Sequence, residues 1–101
     1  MIPTESDIPM HGWKPYSDMH RERIRAHNKH DADGGSMERV GWYDPAWLPV
    51  IAEEFGEVAA ELTYDKVSKD PTKLRKELVQ LGAMVAAWID AIDAQDAENR
   101  S

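Results

Sequence analysis

Two stretches of the chain, 47–62 and 74–92, repeat large apolar residues at three- and four-residue intervals. At about 100° per residue this spacing draws Trp47, Leu48, Ile51, Phe55, Val58, Ala59 and Leu62 onto one side of a helix. Leu74, Leu78, Leu81, Val85, Trp88, Ile89 and Ile92 fall on one side of another. Asp44-Pro45 and Asp70-Pro71 each supply a cap followed by a first-turn proline. The expected helices therefore span about 47–63 and about 71–95, with Pro49 delaying regular helix in the first to about residue 49, because proline has no amide hydrogen to donate. The connection TYDKVSKD is too short for anything but an antiparallel pair of neighbours.

The remaining segments are less regular. Residues 1–16 hold three prolines and no sustained period, which predicts an extended arm packing through Trp13 and Tyr16. Ser17 is placed to cap a first helix over 18–30, whose apolar residues Met19, Ile24 and Ala26 make a thin stripe. DADGGSMERVGWYD, with Gly34, Gly35 and Gly41, reads as a long loop. The expectation is one all-α domain over 17–95, a bundle of about three helices, with a frayed tail at 96–101.

A domain of 101 residues has a small core, and the absence of cysteine removes disulfides, thiolate catalysis and thiolate metal sites. Nineteen acids against twelve Lys and Arg give a formal charge of -7, which repels a nucleic acid polymer in the absence of a segregated basic patch. The longest nearly uncharged run, Leu78 to Ile89, falls short of the roughly 20 residues needed to cross a bilayer, and the N-terminus has no signal-peptide pattern. A cytoplasmic protein with no membrane partner is expected. Two long stripes with one thin partner leave apolar surface uncovered, predicting a homodimer or homotetramer, with Val79, Ala83, Ala86 and Ala87 suited to close helix contact across the interface.

The acids of IAEEFGEVAAEL stand beside the first stripe rather than opposite it. Glu54, Glu57 and Glu61 share one flank, while Glu77, with Gln80 one turn on, reaches the seam from the facing helix. Carboxylates converging there repel one another unless protons or a cation neutralise them, and oxygen ligands select a hard cation, Mg²⁺ or Mn²⁺. The competing reading of the same acids is a solvated helical face.

Glu53-Glu54-Phe55-Gly56-Glu57, followed after 19 residues by Glu77-Leu78-Val79-Gln80, resembles the EExxE…ExxD signature of the MazG-like all-α nucleotide pyrophosphohydrolases. The likeness covers about residues 42–93 and extends weakly to 21–30, where that family places a basic helix. The resemblance implies metal ligands at Glu54, Glu57, Glu77 and Gln80, with Glu53 supporting them or activating water. It also implies hydrolysis of a nucleoside triphosphate to the monophosphate and pyrophosphate. Gln80 departs from the family's aspartate and brings no charge, which weakens metal binding and leaves the number of ions open. Lys73, Arg75 and Lys76, with Lys29 or Arg25, are candidate phosphate partners, and Trp42, Tyr43 and Trp47 are candidates for stacking on a base.

Two rivals stand beside this reading. One is a helical dimerisation or regulatory module that keeps the fold without catalysis, suggested by Gln80. The other is a transition-metal site built from His27 and His30, with Asp31 and Asp33 beside them. Gly34-Gly35 lacks the Lys-Ser/Thr continuation of a phosphate loop, and no serine, histidine and acid stand in an order that suggests a nucleophile.

Overall fold

A computed structural model describes residues 12–62 and 70–100; the arm before Gly12, most of the connection between the last two helices and Ser101 lie outside the described residues. The chain is all-α, with α1 at Lys14–His30, α2 at Trp47–Glu61 and α3 at Pro71–Arg100. Single 3₁₀ turns, Asp31–Asp33 and Met37–Arg39, punctuate the link between α1 and α2.

The helix ends follow local chemistry. Asp70 caps α3 as expected, its Oδ1 accepting from the amides of Thr72 and Lys73 at 3.0 and 3.3 Å, with Pro71 first in the helix. Asp44 instead forms a tight turn by accepting from Ala46 N at 2.8 Å, and Ala46 occupies the cap position of α2. Regular helix begins at Trp47, two residues earlier than expected, because Pro49 falls among the first-turn residues whose amides have no helical partner. α1 likewise begins before Ser17. Pro15 sits in its first turn, and the amide of Ser17 already donates to Trp13 O at 2.8 Å. Trp13 and Tyr16 are exposed and pack edge-on against each other rather than on the core. The tail expected to fray continues α3 to Arg100.

α2 and α3 pack antiparallel. Glu61 pairs with Lys73 at 3.3 Å near the connection, Glu54 and Glu57 face Glu77 midway, and Trp47 stacks on Trp88 at the far end, with ring centroids 5.8 Å apart and planes 1° from parallel. Both indoles also hold the preceding loop, Trp47 Nε1 donating to Gly41 O at 2.9 Å and Trp88 Nε1 to Trp42 O at 2.8 Å.

α1 packs on α3 through a different face. A Cβ built on Gly82 would lie 2.6 Å from Met19 Cε, so Met19 occupies the space that a side chain would need. Beside it Ala83, Met84 and Ala87 are buried with Trp47 and Val58. Charge completes the attachment: Asp18 accepts from Arg75 at 2.8 Å, and Arg23 grips Glu38 through two hydrogen bonds of 3.0 and 2.7 Å while also binding Asp90.

This reverses one expectation. The small residues Ala83 and Ala87, assigned above to a contact between subunits, form the core of the chain itself. Of the two apolar stripes, Trp47 and Val58 are buried, whereas Leu48, Phe55, Leu62, Leu78, Val85, Ile89 and Ile92 are exposed, leaving apolar surface uncovered as expected. Small side chains let helix axes approach more closely than leucine or isoleucine allows, so the alanine face takes the intramolecular contacts. No helix among the described residues is long and apolar enough to cross a membrane.

Candidate functional site

Position along the antiparallel pair decides which acids meet. Glu54 and Glu57 lie one turn apart on α2, and Glu77 lies opposite on α3. One carboxylate oxygen from each can be chosen so that all three lie within 4.8 Å of one another. Among the described residues this is the only group of three or more His, Cys, Asp or Glu that meets so closely. Glu57 is exposed, but Glu54 Oε2 and Glu77 Oε2 are both enclosed with no hydrogen-bond partner. A buried, unpartnered carboxylate oxygen costs free energy until it gains a proton or a cation.

The electrostatics carry the same strain. Burial pushes the Glu54 carboxyl above the usual carboxylate range, and the charges of Glu77 and Glu53 push it further. Glu77 is raised by burial and then by its hydrogen bond and charge contact with Glu57. Protonation or a hard cation with oxygen ligands relieves both groups, so the donor set fits Mg²⁺ or Mn²⁺.

These acids form one wall of a cavity of about 540 Å³ that Gln80 and Glu53 also line. The part of the lining that comes from α1 is mostly basic, with Arg23, Arg25, His27, Lys29 and His30 beside one acid, Glu22. Arg25 is braced by Glu22 through bonds of 2.8 and 2.5 Å and feels the charge of Glu54. Lys29 and His30 have no side-chain partner among the described residues. The cavity is thus bipolar, acidic toward the α2–α3 seam and basic toward α1.

Of the candidates read from the sequence, Glu53, Glu54, Glu57, Glu77, Gln80, Lys29 and Arg25 come together here. Lys73, Arg75 and Lys76 do not line the cavity. Lys73 is engaged by Glu61 and Arg75 by Asp18, since the first turn of α3 lies at the connection end of the bundle. Lys76 is exposed, and its charge reaches the site only as a pull that lowers Glu77. Trp47 is 1% exposed, so its ring is core and offers no face to a base.

The histidine site on α1 does not assemble either. His27 Nδ1 lies 2.6 Å from Ser36 Oγ, its Nε2 is 3.7 Å from Asp31 Oδ2, and Asp31 is itself held by Arg39. Burial of Ser36 and its contact with His27 were not foreseen. The only sequence signal was a serine preceding Met37-Glu38, whose amide at Glu38 donates to Ser36 Oγ at 3.3 Å.

The chain matches no family model, no curated protein and no solved structure.

Proposed function

We propose that the protein is a metal-dependent hydrolase of nucleoside triphosphates that releases the monophosphate and pyrophosphate. The observation that carries this reading is the bipolar cavity, with three carboxylates gathered on one wall and Arg25, Lys29 and His30 on the other. A phosphate chain chelated to a divalent cation has the complementary polarity. The resemblance of Glu53 to Glu57 and Glu77 to Gln80 to the MazG-like signature supports the same chemistry.

Glu54, Glu57 and Glu77 would hold Mg²⁺ or Mn²⁺, and Gln80 would add a neutral oxygen. Such an ion, when bound, draws electron density from phosphate oxygens and lowers the pKa of a coordinated water. Lys29 and Arg25 neutralise phosphate charge from α1 and fix the chain across the cavity. Glu53, exposed on the cavity rim next to Glu54, accepts a proton from the attacking water. Gln80 in place of a carboxylate favours a second reading, a helical module without catalysis.

The exposed apolar stripes of α2 and α3 support a homodimer or homotetramer in which a second copy covers Phe55, Val85 and Ile89. Release of pyrophosphate from a panel of common and modified nucleotides with Mg²⁺ or Mn²⁺ tests the enzymatic reading. Activity lost in Glu54→Gln supports it. Absence of metal binding at millimolar concentration, with or without nucleotide, selects the module.

A further inference from the structure

The bipolar cavity holds groups of opposite charge that do not pair with each other. Glu54 Oε2 and Glu77 Oε2 are enclosed with no hydrogen-bond partner, while Arg25, a long and flexible cation, lines the same space. A guanidinium is an ordinary partner for such oxygens, since its fork offers several N–H donors and keeps its charge at any ordinary pH.

Glu22 holds it elsewhere. This acid stands three residues before Arg25 on α1 and accepts from it twice, from Nε at 2.8 Å and from Nη2 at 2.5 Å, so both carboxylate oxygens meet the guanidinium. The two side chains are anchored unequally: that of Glu22 is 15% exposed, that of Arg25 55% exposed. The acid is fixed, and the cation has room to move.

Two acids compete for this one cation. The hydrogen bonds to Glu22 raise the pKa of Arg25, and the charge of Glu54 adds to the pull. Conversely the Glu54 carboxyl, raised first by burial and then by Glu77 and Glu53, is raised again by Glu22. The bidentate i,i+3 contact decides the competition for Glu22. The outcome is different farther along α2, where Glu61, one turn past Glu57, has a resident cation in Lys73 at 3.3 Å.

We propose that Glu22 is a positioning residue of the cation site: by retaining Arg25 on α1 it keeps an internal cation off Glu54 and Glu77 and leaves their oxygens open to a divalent ion. The proposal rests on the metal reading of the three glutamates and adds to it a residue outside the acid motif of α2 and α3. With Glu22 removed, Arg25 turns to Glu54 and competes with the ion as a tethered ligand at high effective concentration.

Titration calorimetry with Mn²⁺ alone, without nucleotide, tests this on the parent chain, Glu22→Gln, Arg25→Gln and the double variant. Glu22→Gln should bind Mn²⁺ roughly tenfold more weakly than the parent. Arg25→Gln should bind at least as tightly as the parent, and adding Glu22→Gln to it should cost much less than that factor. Glu22→Ala, a second removal of the acid by a good helix former, should repeat the loss, with helical content unchanged by circular dichroism. If Glu22 acts only as a nearby negative charge, its removal weakens binding by the same factor with or without Arg25, and that result overturns the proposal. Parent-like affinity in Glu22→Gln and Glu22→Ala overturns it too. Mn²⁺ binding indifferent to Glu22 sinks this inference alone; no binding by the parent chain at millimolar Mn²⁺ sinks the metal reading with it.

Discussion

Ser36 Oγ lies 2.6 Å from His27 Nδ1, joining the start of a 3₁₀ turn to the last turn of α1 and closing one end of the bipolar cavity. The hydroxyl also accepts from Glu38 N, and the residue is 3% exposed. Ser36→Ala leaves both partners unsatisfied and should destabilise the fold by about 1–2 kcal/mol, measured as a lower urea midpoint with an unchanged denaturant slope.

Trp47 is the one large side chain that is fully enclosed among the described residues, and its indole joins α2, α3 and the loop at Gly41. Trp47→Ala should cost about 3–5 kcal/mol. Trp47→Phe, which keeps the stack on Trp88 but strands Gly41 O, should cost less. Equal losses in thermal unfolding would show that the hydrogen bond, not the ring volume, dominates.

Glu54 and Glu77 have folded-state pKa values above those of the unfolded chain, so the native state binds more protons at mildly acidic pH. Their effect on stability is most favourable below the ordinary carboxylate value and is lost as pH rises through the raised values. Asp18, lowered by Lys14 and Arg75, and Asp31, lowered by Arg39, act oppositely, losing their contribution on further acidification. The metal-free protein should therefore be most stable on the acid side of neutrality. As pH rises through the raised carboxyl values its stability should fall more steeply than that of Glu77→Gln. Parallel pH profiles for the two proteins would refute this.

A cation held by the three glutamates should stabilise the fold by mass action, about 2.7 kcal/mol at a hundredfold excess over its dissociation constant. Chelation should reverse the gain, and Glu54→Gln should abolish it. A shift of equal size in the variant would place the ion elsewhere.

Ile89 and Val85 stand 52% and 39% exposed on α3. Replacing either with glutamate should leave helical content intact, and sedimentation should show a smaller species than the parent chain. An unchanged sedimentation profile would reject this face as the proposed interface between copies.

The helices were legible because their signals are local: the three- and four-residue spacing, Asp70-Pro71 and the short connection. The convergence of Glu54, Glu57 and Glu77 was legible for the same reason, since antiparallel neighbours bring fixed positions together. The buried face of α2 was legible in part, since Trp47 and Val58 of its stripe are enclosed, but that of α3 was not. A helical wheel weighs apolar size, and by size Leu78, Val85 and Ile89 outrank Ala83 and Ala87; the wheel does not register the room that small residues leave, as Gly82 does for Met19. α1 was under-read because much of its attachment is ionic, through Asp18 and Arg23, and pairs so distant in sequence have no periodic signature. The basic wall required knowing where α1 lies, which the acid motif on α2 and α3 does not encode.

The two walls of the bipolar cavity belong to separate parts of the chain, joined by the charges that Glu54 exchanges with Arg25 and Glu22. On the proposed reading, exchanges on the α2–α3 hairpin would retune which ion is tolerated, and exchanges on α1 how many negative charges the guest carries. A change of guest in such a bundle would then have to respect the charge balance across the cavity, not one helix alone.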